Sequence, residues 1–339
     1  MINLKLIDTL CNISGTSGNE EKVCKFIKKE IKDYVDELKV DTMGNLIAFK
    51  KGEKTPKNRV MICAHMDEVG FIVKDITEDG MIKFGFCGGI DTKVVLGRRV
   101  KFGKVCGVVG IKAVHLTTAD ERKKAPASST LYIDIGANSK KEAENLVSLG
   151  DYGTFDSLSY EFGDGFYKAK ALDDRYGCAL MIEMIKTELE YDTYFSFNVQ
   201  EEVGLRGAMV SAYDIKPDIA VVLETTTAAD ISDVKGQMKV CCLGEGVVIS
   251  YMDRATIYDE ELYNKATALA DAHGIKWQTK SLIAGGNDSG TIHKSRAGVK
   301  TVALSVPTRY LHSPACVAKI SDMEETYKML EIFMKEGIN

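Results

Sequence analysis

Three short runs constrain the fold of this chain most, because each is largely apolar and each stops at a histidine or an acid. Val60-Met61-Ile62-Cys63-Ala64 ends at His65, Tyr194-Phe195-Ser196-Phe197-Asn198-Val199-Gln200 ends at Glu201-Glu202, and Ile219-Ala220-Val221-Val222-Leu223 ends at Glu224. A continuous apolar run of this length reads as a strand buried on both faces of a sheet. Around these runs the apolar spacing is helical. Leu4, Leu6, Ile7 and Leu10 predict one helix, and Val23, Phe26, Ile27 and Ile31 a second, capped by Asn19. Further helices are predicted over 175–187, after Gly207, over 259–273 and over 320–336, with strands over 37–40, 46–49, 275–279 and 299–306. The alternation predicts an α/β domain.

From Val69 to about Gly163 the texture differs. Short alternating β segments over 71–73, 81–84, 99–102 and 105–111 are punctuated by glycines and interrupted by one helical stretch, 140–149. This predicts a small β-barrel-like domain, 69–164, inserted into a discontinuous α/β domain formed by 1–68 and 165–339. A chain of 339 residues accommodates two domains. It buries a core large enough to need no disulfide or structural metal. Net charge is −5, with 44 basic and 49 acidic residues dispersed along the chain, so no nucleic-acid or membrane surface is expected. No apolar run approaches the roughly 20 residues of a membrane-spanning helix. The nine cysteines form no CxxC pair. Cys241-Cys242 reads as strand filler, and the start of the chain lacks a signal-peptide pattern. A soluble, cytoplasmic protein is expected.

Sheets of this kind place ligand sites at the carboxyl ends of their strands. His65 and Asp67 are two residues apart, so on a strand both face one side, and Asp67 can hold the imidazole of His65. Asp173-Asp174 precedes a predicted helix. One Asp suffices as a cap, and two adjacent carboxylates repel unless a cation lies near. Glu201-Glu202 and Glu224 end buried strands, where an acid needs a proton or a cation. His312 sits in Arg309-Tyr310-Leu311-His312-Ser313-Pro314. His115, His273 and His293 read as surface, helix-end and packing residues. Singly, each candidate has an ordinary structural reading. Jointly, two histidines and three acids make a complete dinuclear metal set with one acid left over as a base.

These same residues carry a family resemblance. Ala64-His65-Met66-Asp67-Glu68-Val69-Gly70-Phe71, Ala171-Leu172-Asp173-Asp174-Arg175, Gln200-Glu201-Glu202-Val203-Gly204-Leu205-Arg206-Gly207-Ala208 and the His312 segment resemble the successive motifs of the tetrahedral aminopeptidases. This is the dinuclear metallopeptidase family that includes glutamyl and deblocking aminopeptidases. Gly285-Gly286-Asn287-Asp288-Ser289-Gly290 resembles its glycine-rich loop near the substrate, which makes Asp288 a substrate-binding candidate. The resemblance implies a mixed-sheet α/β/α zinc-peptidase-like domain. It implies that Asp173 bridges two ions, with His65 and Glu224 on one and Glu202 and His312 on the other. It also implies Glu201 as general base, Asp67 as the residue orienting His65, a cis peptide at Asp173–Asp174, and a homododecamer joined through the β insertion. The family more often has Asp where Glu224 stands.

The expected activity is removal of N-terminal residues from peptides with two divalent ions, zinc first and cobalt or manganese as alternatives. Rival readings are a glycoside hydrolase of endoglucanase type using paired carboxylates, a deacylase or carboxypeptidase of related fold, and a non-enzymatic assembly protein. Adjacent residues on a strand point to opposite faces, which argues against Glu201 and Glu202 flanking one sugar bond. An acidic substrate preference needs a cation in the pocket, for which Arg254 and Lys294 are candidates by position.

Overall fold

The computed structural model describes residues 2–338. Its larger sheet runs in the order Glu37–Val40, Leu46–Lys50, Thr193–Asn198, Val60–His65, Ile219–Thr227, Lys300–Arg309, Cys316–Lys319, Phe166–Ala169, Tyr160–Phe162. Val60–His65 pairs parallel with both Thr193–Asn198 and Ile219–Thr227, and the latter pairs parallel with Lys300–Arg309. The outer strands pair antiparallel, so the sheet is mixed. Every residue of Val60–His65 is buried, as expected of a strand covered on both faces.

The helix Leu172–Ile185 packs on the central strands and is almost wholly buried. The helices Leu4–Asn12 and Glu21–Ile31 pack beside it through Leu6, Ile7, Leu10, Val23, Ile27 and Ile31. Asn19 does not cap the second helix: its N–H bonds Thr16 O, and the helix starts after Glu20 with no side-chain cap. Glu260–Ala272 begins where expected, with Asp259 accepting the Leu262 N–H at 3.0 Å. Cys241-Cys242 lies outside any strand, in a loop where Gln278 accepts the Cys242 N–H.

A second sheet closes on itself in the order Gly70–Ile76, Ile82–Cys87, Tyr132–Asp134, Val105–Gly110, Arg99–Phe102, Tyr152–Phe155. Closure leaves no exposed sheet edge. Its interior is aromatic, with Phe71 edge-on to Phe84 at 5.4 Å and to Phe155 at 5.1 Å. The helix expected over 140–149 is only Lys140–Glu144.

A buried ionic cluster ties the first helix to the start of Leu172–Ile185. Arg175 is fully buried and donates to Met66 O at 2.6 Å, Leu10 O at 2.6 Å and Ile13 O at 3.0 Å. Glu68 lies 3.5 Å from Arg175, pairs with buried Lys170 and accepts the Gly15 N–H. Removing one member leaves its partners desolvated without compensation. Arg175→Met is therefore expected to lower the unfolding free energy by about 3–5 kcal/mol, measured by denaturant unfolding.

Candidate metal centre

Strand register aligns the first half of the site. Ile219 pairs with Val60, and the pairing continues to Val222 and Cys63. Two residues further along, Glu224 falls level with His65, and their Oε1 and Nε2 atoms are 3.6 Å apart. Glu224 does not end its strand, which runs on to Thr227. It meets His65 because the neighbouring strand stops there.

The helix Leu172–Ile185 brings in Asp173. Its first turn is irregular at Asp173 and Asp174, and the peptide between them is cis. The two acids divide the roles that the sequence left open. Asp174 is fully buried and accepts the Gly177 N–H at 3.0 Å, as a cap does. A side chain at Gly177 would run into that carboxylate. Asp173 turns the other way. Its Oδ1 is 3.3 Å from His65 Nε2 and its Oδ2 is 3.6 Å from His312 Nε2.

His312 lies beyond Lys300–Arg309, and its Nε2 is 3.2 Å from Glu202 Oε2. Both imidazoles are oriented by main-chain carbonyls. His312 Nδ1–H donates to Gly89 O at 2.7 Å, and His65 Nδ1–H donates to Asp67 O at 3.1 Å. A carbonyl only accepts, so each ring carries its hydrogen on Nδ1 and aims Nε2 at carboxylate oxygens. Acceptors facing acceptors in a desolvated place need a cation between them.

Two triads result, His65–Asp173–Glu224 and Asp173–Glu202–His312, each with ligand atoms within 4.8 Å of one another. Among the described residues no Lys or Arg lies within 4.0 Å of Asp173, Glu202 or Glu224. Burial pushes Glu202 up to about 8, with repulsion from Asp173 adding to it. Burial and Asp173 likewise hold Glu224 well above the usual range. His312 rises to about 9, because Asp173 and Glu202 outweigh the effect of burial. Imidazole and carboxylate donors of this kind fit divalent ions, and the two triads share Asp173.

Glu201 and Glu202 are not on a strand. Thr193–Asn198 has ended, and Gln200 adopts a left-handed φ of 55°. A turn, not the alternation of a strand, therefore sets their directions. Asp67 holds that turn: Oδ1 accepts the Glu201 N–H at 3.0 Å and Oδ2 the Glu202 N–H at 3.2 Å. Its carboxylate is 3.4 Å from His65 Nδ1, farther than its own carbonyl. Leu205, Tyr310 and His312 share the left-handed conformation, with φ of 57°, 59° and 56°. Each such residue costs on the order of 1 kcal/mol and persists where its surroundings over-determine it.

The triads floor a cleft of about 620 Å³ walled by Thr225, Thr226, Lys280, Gly285, Asn287 and Tyr310. Asp288 lies beneath this wall, fully buried, with Asn198 donating to its Oδ2 at 2.8 Å. Its loop neighbours Gly285, Gly286 and Asn287 line the cleft instead. Arg254 and Lys294 are exposed and line no part of it.

With this geometry in view, comparison with known proteins is decisive. A profile of the M42 glutamyl aminopeptidase family matches residues 44–329. The chain belongs to this family. It is an aminopeptidase fold and a hydrolase. A protein of Acetivibrio thermocellus named as an aminopeptidase is 42% identical over 327 residues, covering 96% of each chain. The lysyl aminopeptidase of Pyrococcus furiosus is 33% identical over 99% of this chain and 98% of its own. A structure of Pyrococcus horikoshii TET1 peptidase, described as assembling into a tetrahedron or a large octahedral shell, superposes with a TM-score of 0.85. It is 35% identical and covers 98% of each chain.

Ser17 and Glu20 escaped the reading of the sequence, since Ser17-Gly18-Asn19-Glu20 looks like an ordinary helix start. Ser17 Oγ donates to Asp67 Oδ2 at 2.6 Å. Glu20 Oε1 accepts the Gly18 N–H at 2.7 Å and the Gln200 N–H at 3.1 Å. Burial, reinforced by Asp67, pushes Glu20 up to about 7 from an ordinary 4.5. For an acid raised on folding, the charged form is disfavoured in the native state. That stability is present below about 4.5 and is lost as pH rises through about 7. Glu20→Gln keeps the acceptor and removes the charge. Its unfolding free energy relative to the unaltered protein is expected to grow between pH 5 and pH 8 by about 3 kcal/mol, measured by denaturant unfolding at each pH.

Proposed function

We propose that this chain is a dinuclear metal-dependent aminopeptidase, with His65, Asp173 and Glu224 around one ion and Asp173, Glu202 and His312 around the other. One observation carries the reading: two imidazoles aim Nε2 at opposite oxygens of a single carboxylate, Asp173. When bound, the ions supply Lewis acidity toward the scissile carbonyl and toward water. Zinc suits the donor set, and cobalt or manganese accepts the same ligands.

Glu201 borders the cleft and ligates neither triad. Burial raises its proton affinity well above that of an ordinary carboxylate, against the opposing charge of His65. As a carboxylate, Glu201 would accept a proton from the attacking water and return it to the leaving amine. Asp67 is a positioning residue. It anchors the Glu201 and Glu202 N–H groups, while Ser17 and Glu20 brace Asp67 and the turn from behind. A free N-terminal amine held beside the metal centre would favour cleavage at the chain end.

Residues 1–68 and 165–339 form the catalytic unit in this reading, joined in its sheet by Tyr160–Phe162, and the rest of 69–164 forms the assembly unit. The insertion and its return strand expose Val114, Leu116, Leu158 and Tyr160, apolar surface suited to contacts between copies. A homododecamer is the assembly expected, consistent with the shells formed by the P. horikoshii relative. The cytoplasm suits nine unpaired cysteines.

Elemental analysis of the reconstituted protein is expected to find two ions per chain. Asp173→Ala is expected to lose both and His312→Ala one. A chelator should abolish activity, and the added metal restore it. Glu201→Gln is expected to keep both ions while kcat on aminoacyl anilides falls by roughly 100-fold or more. Normal turnover by a metal-loaded Glu201→Gln protein would remove Glu201 from its role. Light scattering is expected to give the mass of twelve chains.

A further inference from the structure

The wall of the cleft contains a charge that the hydrolytic machinery does not use. Lys280 is 93% buried, being 7% exposed, and it lines the same cavity as Glu224 and Thr225. Its ammonium makes one hydrogen bond, to Ala284 O at 3.3 Å. No carboxylate among the described residues lies within ion-pair distance of it. A buried lysine is ordinarily paired.

The neighbouring acids are otherwise engaged. Asp253, whose charge attracts Lys280, accepts the Ala255 and Thr256 N–H groups at 2.8 Å each and the Tyr258 hydroxyl at 2.6 Å. Glu224 faces His65. Desolvation pulls the Lys280 ammonium below the ordinary lysine range, as expected of a cation short of partners. Lys280 is also the one Lys or Arg that the described residues place in this wall. With Asp173, Glu202 and Glu224 occupied by metal ions, the charged side chains left in the cleft are the base Glu201 and Lys280, and Lys280 is the cationic one.

We propose that Lys280 is the specificity-determining residue of this enzyme, pairing with the side-chain carboxylate of a peptide whose first residue is Glu or Asp. The family does not decide this preference, since its profile is described as glutamyl whereas the P. furiosus relative is a lysyl aminopeptidase. The inference rests on the aminopeptidase reading. Exopeptidase cleavage holds the first residue's backbone at the metal centre, so its side chain must occupy the adjoining cavity. Thr225 and Thr226 line the same cavity. A lysine or arginine side chain there would meet Lys280 as a like charge in a desolvated place.

The test compares Glu and Gln p-nitroanilides, which differ only in side-chain charge and carry no C-terminal carboxylate, on the metal-loaded full chain. Leu and Lys p-nitroanilides complete the panel. The unaltered enzyme is expected to favour Glu over Gln in kcat/KM by roughly 100-fold. Lys280→Met is expected to bring that ratio near one, and Lys280→Arg to retain most of it. A general folding defect lowers both substrates together and leaves the ratio intact. Turnover of Gln or Leu substrates without preference for Glu overturns the assignment of Lys280 and leaves the aminopeptidase reading standing. So does a Glu-to-Gln ratio that survives Lys280→Met. Failure of the metal-loaded protein on the whole panel overturns both.

Discussion

The rest of the structure depends on holding carboxylates and imidazoles together in a place with little water. Asp173, Glu202 and Glu224 face His65 and His312 at 3.2–3.6 Å, and among the described residues no lysine or arginine pairs with them. Such a cluster repels itself unless protons or multivalent cations occupy it. Cores do not tolerate this arrangement by default, so the surrounding chain must be stable enough to impose it. The wholly buried strand Val60–His65 and the buried helix Leu172–Ile185 supply that stability.

Around this centre the support comes in layers. Main-chain carbonyls set the tautomer of each histidine, from Asp67 for His65 and from Gly89 for His312. Gly89 follows the second strand of the barrel, so the barrel reaches back to orient His312, in the loop after Lys300–Arg309. Asp67, Ser17 and Glu20 fix the turn that carries Glu201 and Glu202. Arg175, Glu68 and Lys170 lock the helix start that carries Asp173 to the end of the first helix. The N-terminal segment thus braces the candidate site, although no motif marks it.

Function divides between floor and wall. The floor holds the groups for hydrolysis, common to any peptide bond. The wall carries Thr225, Thr226 and Lys280, and in the proposed reading it receives the substrate's side chain. This separation lets members of one family keep a reaction while differing in the residue they remove, because a wall residue can change without moving a metal-binding group.

Much of this was legible from residue order. Apolar runs ending in His65, Glu201-Glu202 and Glu224 revealed buried strands, since burial on both faces requires continuous apolar sequence. The glycine-punctuated segment revealed the inserted β region. The inventory of two histidines and four acids made a dinuclear site plausible, and motif resemblance assigned its roles. What only the tertiary structure decided were relations between distant residues. Glu224 lies level with His65 through strand register. Asp174 caps while Asp173 faces the site, because the first turn of the helix is irregular. Asp67 holds the Glu201 turn more closely than it holds His65. Asp288 sinks beneath the wall, and Lys280 stands in it. Sequence specifies which apolar residues are buried, because their burial follows local polarity patterns. It does not specify which buried groups face one another, because that depends on how separate strands and loops pack.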